Sequence, residues 1–374
     1  MKEAGIYLHI PFCKSRCSYC DFATGLYQSD LAERYVNALL RDIRTTRHRI
    51  PSSVVDTIYF GGGTPSMLSP DQIGRIVETV HDCFEVSSDA EVTMEINPGS
   101  VTDSALREFR NVGINRASFG AQTFDDLELA RLGRAHNSLD ITQTFHSLRA
   151  AGFDNVSFDL IAGLPGQRMS TWKQNVERAL SLRPEHLSFY LLEVHSGTPL
   201  AQHIDRGIQP KPDEDLASEM YVLMLERSAD VGYEHYEISN LCRPGFESRH
   251  NTKYWNGAPY FGFGCSSHSY DGQSHRWSNE RDVSKYVSLI DSGQSTVVEE
   301  TDLTHDDKRA EAVFLGLRLM KGLNLSEYRE RFGVDIRDDF VCFTEAGLIE
   351  FEGDLVRLTR QGALMSNEVF AKFV

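Results

Sequence analysis

The sequence predicts an α/β protein: a partial (β/α)6 barrel, then a mixed region, then a small C-terminal α+β domain that resembles a winged helix. Short β-branched runs alternate with amphipathic helical patterns six times, and this alternation fades near Leu200. From Asp306 onward the order is helix, short helix, helix and hairpin. Six consecutive β/α units predict a parallel sheet with right-handed crossovers.

The six β/α units are predicted because runs of β-branched and aromatic residues alternate with stretches of helical periodicity. Cap signals such as Ser69-Pro70-Asp71 and Thr102-Asp103 mark helix starts. The strand residues are apolar nearly throughout, as expected for a sheet that helices cover. The strands are predicted over Gly5–Ile10, Val55–Phe60, Glu91–Ile96, Asn115–Phe119, Asn155–Leu160 and His186–Leu191. The helices are predicted over Leu31–Arg47, Asp71–Cys83, Asp103–Asn111, Asp140–Ala150 and Ser170–Leu182.

The pattern changes twice after the barrel, which predicts domains at residues 1–200, 201–300 and 301–374. A polar stretch with two prolines, Ile204–Leu216, indicates a connector, and Glu214–Val231 has helical periodicity. The segment Tyr233–Tyr286 is aromatic and Gly-rich, and we expect it to be irregular. Near the end, Leu348–Leu358 predicts a β-hairpin with Gly353-Asp354 at its turn, and Gly362–Phe370 predicts a closing helix.

Composition excludes several classes of protein. The 374 residues are 41% hydrophobic, ordinary for a globular protein, and no apolar run is long enough for a membrane span. The N-terminus lacks the pattern of a signal peptide, so we expect a cytoplasmic protein, with at most peripheral attachment to the membrane. The net charge of −16 argues against a nucleic-acid partner, including for the winged-helix-like domain. Seven cysteines, an odd number, indicate a reducing compartment rather than a disulfide framework.

Three of the cysteines are closely spaced. Cys13, Cys17 and Cys20 form a C-x3-C-x2-C pattern directly after the first predicted strand. Three thiolates on one loop can hold three irons of a [4Fe–4S] cluster and leave the fourth iron open. A zinc site is the alternative, but structural zinc requires a fourth protein ligand, for which His9 is the candidate. Three unrelated thiols are the remaining explanation.

Several motifs together carry a resemblance to a known family. They are Ile6-Tyr7-Leu8-His9-Ile10-Pro11-Phe12-Cys13, Gly61-Gly62-Gly63-Thr64-Pro65, Glu95-Ile96-Asn97-Pro98, Ser118-Phe119-Gly120-Ala121-Gln122-Thr123 and Asp159-Leu160-Ile161-Ala162-Gly163-Leu164-Pro165-Gly166-Gln167. With the cysteines, they resemble the radical S-adenosylmethionine (SAM) superfamily and, within it, the coproporphyrinogen dehydrogenase (HemN) group. Inside that group the whole chain is similar to the HemW-type haem chaperones. The resemblance implies a radical-SAM barrel with a [4Fe–4S] cluster and SAM as cofactors.

One polar residue follows each of several successive strands, as a site at the mouth of a barrel requires. The glycines can bring the backbone close to a ligand, which is the favoured interpretation, and a tight turn is the alternative. Arg134 could pair with a ligand carboxylate or be a surface charge, and the tyrosines could be plain packing residues. The resemblance implies SAM binding by Tyr7, Tyr19, Gly62, Gly63, Thr64, Glu95, Gln122, Arg134 and Asp159. It assigns no catalytic residue.

Two departures separate the chain from the dehydrogenase branch. That branch has a further cysteine two residues after the motif, where this sequence has Asp21-Phe22, and it has a longer N-terminal extension. A positive signal is the motif H-N-x-x-Y-W, which resembles one associated with haem binding. It supplies His250, Asn251, Tyr254 and Trp255 as candidate haem-binding residues. Imidazole is a common axial haem ligand, but His250 could equally be a structural histidine.

Two other residues, Cys265 and His268, are alternative candidates for an axial haem ligand. The resemblance implies a chaperone that takes haem as cargo and passes it to haem-requiring respiratory proteins at the membrane. It also implies a homodimer, although no residue pattern specifies an interface. The alternative function is oxygen-independent oxidation of coproporphyrinogen III to protoporphyrinogen IX. A winged-helix regulator is a third hypothesis, disfavoured by charge.

Overall fold

The computed structural model describes residues 3–50 and 53–373. Its centre is a sheet whose middle six strands are parallel and follow the chain in order, as the alternating pattern predicts. These strands are β1 (Glu3–Ile10), β4 (Val54–Gly62), β5 (Glu85–Ile96), β6 (Arg116–Gln122), β7 (Val156–Ala162) and β8 (His186–Leu191). Two short strands, β2 (Phe12–Cys13) and β3 (Gly25–Leu26), pair beside β1. The predicted α/β class is confirmed.

The helices between these strands begin close to the predicted positions because their caps are used. Ser69 accepts a hydrogen bond from the backbone amide of Gln72, and the Thr102 hydroxyl accepts one from Ala105. The helices are α1 (Ser29–Thr46), α2 (Pro70–Cys83), α3 (Asp103–Asn111), α4 (Asp126–Arg131), α5 (Ser138–Ala150), α6 (Met169–Leu182), α7 (Pro199–Asp205) and α8 (Glu214–Ala229). Single 3-10 turns occupy Arg47–Arg49, Pro65–Met67 and Arg337–Phe340.

The expectation of an irregular segment over Tyr233–Tyr286 is wrong. The segment forms short strands that extend the central sheet at both ends, so the sheet continues past the predicted boundary at residue 200. The elements that follow α8 are β9 (Glu234–Glu237), β10 (Asn240–Cys242), α9 (Arg249–Trp255), β11 (Tyr260–Phe263), β12 (His268–Tyr270), β13 (His275–Asn279), α10 (Val283–Asp291) and β14 (Val297–Asp302). Short strands with glycines at their ends produce too little period-2 alternation to be read from sequence.

The sheet forms a partial barrel. Strand β1 pairs with β4 and, on its other side, in parallel with β11, while β8 pairs antiparallel with β10. The full order is β14-β13-β12-β11-β1-β4-β5-β6-β7-β8-β10-β9. Since β14 and β9 are the two ends of this order, the six parallel strands curve without closing on themselves.

The barrel strands have two different faces. Ile58 and Phe60 of β4 belong to the apolar core beneath the helices, whereas Thr57 and Tyr59 bond to polar partners on the opposite face. The prediction that strand residues are apolar nearly throughout is therefore wrong for the inner face. That inner face is buried by α9, which fills the barrel near the starts of β1 and β4.

The C-terminal segment has its own apolar core, to which Leu317, Phe340 and Val356 contribute. The predicted hairpin is confirmed, and Gly353 takes a φ of 63° at its turn. The predicted closing helix over Gly362–Phe370 is instead divided into two short ones. The elements are α11 (His305–Arg318), β15 (Leu323–Asn324), α12 (Leu325–Phe332), α13 (Val341–Glu345), β16 (Ile349–Glu352), β17 (Leu355–Leu358), α14 (Arg360–Leu364) and α15 (Ser366–Phe370). Among the described residues, no helix is long and apolar enough to cross a membrane.

Candidate cofactor site at the mouth of the barrel

The ends of the parallel strands open into a cavity of about 440 Å3, within the ~300–1,000 Å3 range of ligand pockets. Most of the predicted cofactor residues line it, although they come from separate strand ends. These are Cys13, Cys17, Tyr19, Cys20, Gly62, Gly63, Thr64, Glu95, Gln122, Arg134 and Asp159. The carboxyl ends of parallel strands meet at one edge, so residues distant in sequence become neighbours there.

Two backbone hydrogen bonds hold the cysteine loop in place. The Tyr27 amide donates to the Cys13 carbonyl at 2.9 Å, and the Ser18 amide donates to the Leu132 carbonyl at 2.9 Å. All three thiols are half-buried, and burial raises the pKa of the Cys13 and Cys20 thiols. Within residues 3–50 and 53–373, no three His, Cys, Asp or Glu side chains are grouped as ligands of a single metal ion.

A chain of hydrogen bonds connects two of the thiols across the cavity. The Thr64 hydroxyl lies 3.7 Å from Cys13 Sγ and accepts from Asn97 Nδ2 at 2.7 Å. Asn97 Oδ1 in turn accepts from Arg134 Nη2 at 2.9 Å. Arg134 Nη1 lies 3.5 Å from Cys17 Sγ. Thr64, which follows β4, and Asn97, which follows β5, therefore connect the cysteine loop to the Arg134 guanidinium.

Arg134 is not a simple surface charge, because its guanidinium lines the cavity and bonds to other residues of the cavity wall. Arg134 Nη2 also donates to the Gly120 carbonyl at 2.8 Å, while Nε is buried and has no hydrogen-bond partner among residues 3–50 and 53–373. A buried donor without a partner costs free energy, so this atom favours a ligand that can accept a hydrogen bond. The donor set therefore fits a ligand carboxylate.

Glu95 provides a carboxylate on the same cavity. Oε1 accepts from the Tyr59 hydroxyl at 2.9 Å, and Oε2 accepts from the Gly62 amide at 3.1 Å. Burial, with a contribution from the Asp159 carboxylate, raises the pKa of Glu95 to about 7. Burial also raises the pKa of Asp159 itself. Burial therefore disfavours the ionised form of both carboxyl groups. A cationic ligand group, such as an amine, would stabilise that ionised form.

The glycines after β4 also have a packing role. Gly62 has a φ of 109°, and a Cβ there would lie 2.5 Å from His9 Cε1. A Cβ on Gly63 would lie 2.9 Å from the Ile10 carbonyl oxygen. Close approach of this turn to the end of β1 therefore requires glycine whether or not the backbone also contacts a ligand.

Sequence reasoning and structure differ at several positions of this site. Tyr7 does not line the mouth cavity: it stacks on Tyr59 with ring centroids 6.1 Å apart and lines a neighbouring cavity. Asn97 and Tyr190 line the mouth cavity but are not among the residues predicted to bind a cofactor. Both lie at the ends of strands, so the strand-end argument used for Glu95 would have found them.

The candidate haem residues lie on α9, whose first turn is capped by the Ser248 hydroxyl. His250 is 1% exposed, and both ring nitrogens have partners: Nδ1 is 2.9 Å from the Thr57 hydroxyl and Nε2 is 3.0 Å from the Tyr254 hydroxyl. Burial, together with the Lys253 and Arg116 cations, lowers the pKa of His250 to about 3. His250 could bind iron only after one of these hydrogen bonds breaks.

The other three motif residues have different surroundings. The Trp255 ring lies 4.3 Å from the Arg318 guanidinium carbon, in a cation–π contact with α11. Its Nε1 is buried and has no hydrogen-bond partner in the described part of the chain. The Asn251 amide donates to the Ser248 cap at 3.4 Å. Tyr254 packs edge-on against Tyr260 with centroids 4.6 Å apart. The motif thus connects α9 to the barrel interior and to the C-terminal segment.

Comparison with known proteins places the chain in a family. Residues 7–179 match the radical SAM superfamily model, and residues 303–365 match the HemN C-terminal domain. A Bacillus subtilis protein named heme chaperone HemW is 36% identical over 100% of this chain and 99% of its own length. A Mycobacterium tuberculosis protein of the same name is 34% identical over 98% of this chain and 93% of its own length.

A solved structure shares the fold. Coproporphyrinogen III oxidase HemN from Escherichia coli, described as a radical SAM enzyme, superimposes with a TM-score of 0.87 at 22% sequence identity. The superposition covers 100% of this chain and 90% of that structure. At this level of identity the likeness supports the fold alone.

Proposed function

The chain belongs to the HemW family of haem chaperones within the radical SAM superfamily, and from that premise we propose that it binds haem and delivers it to haem-requiring respiratory proteins at the membrane. The delivery takes place from the cytoplasm, through contacts with the acceptor protein. The proposal includes a [4Fe–4S] cluster and SAM bound at the mouth of the barrel, and a homodimer as the working form.

One observation carries the cofactor part of this proposal: eleven of the predicted cofactor residues, from the cysteine loop and from several other segments, line the same cavity. Cys13, Cys17 and Cys20 would hold three irons of the cluster, which leaves the fourth open to an outside ligand. The buried, unpartnered Nε of Arg134 offers a donor to the carboxylate of SAM. Glu95 would accept from the amino group of SAM.

When bound, the cluster and SAM would supply one-electron chemistry at this site. The protein's part is to bind and orient. The bonds from Thr64 to Cys13 and from Arg134 to Cys17 hold the cysteine loop against the barrel. Gln122, with a φ of 63°, and Asp159 line the same cavity.

Two features support haem as cargo rather than oxidation of coproporphyrinogen. The position of the additional cysteine of the dehydrogenase branch is taken by Phe22, whose side chain is 62% exposed beside the cysteine loop. The H-N-x-x-Y-W motif is complete on α9. An exposed aromatic ring in place of a thiol supplies apolar surface and no metal ligand.

The experiment that tests the function is an anaerobic haem titration of the reconstituted protein, with product analysis in parallel. We expect stoichiometric haem binding, seen as a Soret band, and transfer of that haem to an apo-cytochrome. With SAM and coproporphyrinogen III we expect no protoporphyrinogen at useful turnover. Sedimentation of the reconstituted and cluster-free protein tests the homodimer.

Two results would contradict the proposal. Failure of the reconstituted protein to bind haem would remove the chaperone function. Multiple-turnover formation of protoporphyrinogen would instead assign the oxidase reaction. A Cys17→Ser variant is the control for the cofactor part, because it should lose cluster absorbance without losing the fold.

A further inference from the structure

A second cavity, of about 390 Å3, lies beside the mouth cavity. Asp21 and Phe22, which directly follow the cysteine motif, line both cavities and form the wall between them. Strands β11 and β12 supply the opposite side through Tyr260 and His268. The proposed cluster and SAM site does not use this second cavity.

The walls of the second cavity are largely aromatic. Phe22, Tyr7, Tyr254 and Tyr260 line it, and the last two rings pack edge-on at 4.6 Å. Tyr254 belongs to the H-N-x-x-Y-W motif, so the motif reaches this cavity through its tyrosine. The flat faces of these rings suit a planar, apolar ring system.

Two imidazoles line the same cavity, and they differ in their availability. His9 is buried, with Nδ1 3.2 Å from the Tyr7 hydroxyl and Nε2 3.0 Å from the Ala23 carbonyl. His268 is exposed, and its ring forms no hydrogen bond with any of the described residues. His268 can therefore offer a ring nitrogen to a metal without breaking an existing bond, unlike His9 or His250.

One charged group of the cavity, Arg281, can pair with an anionic group of a macrocycle. Arg281 and Asp21 are the charged residues that line it. Arg281 uses Nη2 to donate to the Asp21 backbone carbonyl at 2.6 Å. Its other nitrogens carry donors that can bind a carboxylate such as a propionate. This arrangement places a cation at the opening of an aromatic cleft.

We propose that the second cavity is the haem site, with the His268 imidazole as the axial ligand of the iron and Arg281 as the partner of a propionate. The inference rests on the proposed function and deepens it by naming the site. The cavity volume is at the lower end of the usual range for ligand pockets, so part of the macrocycle remains outside. An acceptor protein would take the haem from that exposed edge.

The experiment is an anaerobic titration of the full-length protein with ferric protoporphyrin IX, followed by absorption and EPR spectroscopy. The variants are His268→Ala and, as a matched control, His275→Ala, an imidazole on the adjacent strand β13 outside the cavity. We expect His268→Ala to lose the imidazole-ligated spectrum and at least tenfold in affinity, and His275→Ala to match the unaltered protein. Added free imidazole should restore the ligated spectrum in His268→Ala. Arg281→Gln should weaken binding severalfold and leave the spectrum unchanged.

The outcomes separate this inference from the proposed function. Haem binding by His268→Ala with an unchanged spectrum and affinity would overturn the site and leave the chaperone function in place. Loss of ligation in His250→Ala, but not in His268→Ala, would assign the iron to α9. Absence of haem binding by the unaltered protein would overturn both. The unfolding midpoint of His268→Ala should not change, because the ring is exposed and unbonded.

Discussion

Buried polar residues occur at both ends of the barrel interior, but at the mouth they face a cavity, whereas deeper in the barrel they bond to one another. At the mouth, Glu95, Asp159 and Arg134 face a cavity, and one guanidinium nitrogen has no partner. Deeper in the barrel, His250 lies between the hydroxyls of Thr57 and Tyr254, with both ring nitrogens bonded. Buried polar groups that satisfy one another stabilise a fold, whereas groups that face a cavity remain available to a ligand.

A second histidine makes this comparison sharper. His186 lies between the Ser157 hydroxyl, 2.8 Å from Nδ1, and the Tyr236 hydroxyl, 2.8 Å from Nε2. Burial, with the Arg116 cation, also lowers the pKa of His186. Two hydroxyl–imidazole–phenol arrangements therefore occur in one barrel. Nothing in the sequence connects His186 to haem, so the arrangement around His250 does not by itself indicate a haem ligand.

The largest expected effect is at the mouth. Cys17→Ser, Cys20→Ser or Cys13→Ser should abolish the visible absorbance of the cluster after anaerobic reconstitution, because three thiolates are the minimum set on this loop. The fold, measured by far-ultraviolet circular dichroism, should be retained. Cys342→Ser is the matched control, since that thiol is exposed in the C-terminal segment. Cluster absorbance of normal intensity in any of the three variants would show that this cysteine is not a cluster ligand, and the mouth would then not be the cofactor site.

The next effect is in the deeper part of the barrel. His250→Ala should lower the free energy of unfolding by about 2–4 kcal/mol, because it leaves a void and two buried hydroxyls without partners. Urea denaturation measures the loss. His186→Ala is the internal comparison and should cost a similar amount. If His250→Ala is as stable as the unaltered protein but deficient in haem binding, His250 is a functional residue rather than a structural one.

The pH dependence of the free energy of unfolding should differ between the deeper part of the barrel, which contains His250, and the mouth, which contains Glu95. The folded state keeps His250 neutral down to a pKa of about 3, whereas the unfolded chain protonates it near 6.5. The unfolded state then binds more protons between these values, so stability falls as the pH falls through this window. At pH 5 the contribution lost is about 2 kcal/mol, at about 1.4 kcal/mol for each pH unit.

His250→Gln removes this titration, so the difference in unfolding free energy between it and the unaltered protein should shrink from pH 7 to pH 5. The comparison of variants is needed because Glu95 acts in the opposite direction. Its folded pKa of about 7 is above the unfolded value of 4.5, so its contribution to stability is lost as the pH rises. An equal slope in both proteins would show that folding does not change the pKa of His250, contrary to this prediction.

The smallest expected effect concerns a single contact at the mouth. Glu95→Gln keeps the shape of the side chain but removes the negative charge, and its single amide oxygen can accept from only one of the two donors, Tyr59 or Gly62. We expect SAM affinity to fall about tenfold, or about 1.4 kcal/mol, because a charge-assisted bond to its amino group is lost. Isothermal titration of the reconstituted protein measures this affinity. Tighter binding by Glu95→Gln would exclude Glu95 as the acceptor.

The sequence by itself determined the order of strands and helices, the class of fold and most of the mouth residues. Period-2 and period-3.6 patterns reflect local burial, and the ends of parallel strands always meet at one edge, so Glu95 and Asp159 could be placed together without coordinates. The short strands of Tyr233–Tyr286 were missed, because segments of three or four residues contain too little alternation to be distinguished from loops.

Only the tertiary structure decided what each polar side chain faces. The motif around His250 indicated a haem residue, but in the structure its ring nitrogens bond to Thr57 and Tyr254, and Tyr7 turns away from the mouth cavity. His268, by contrast, lies exposed beside an aromatic cleft formed by residues distant in the chain. Hydrogen-bond partners and exposure depend on which segments pack together, and that information is not contained in local spacing.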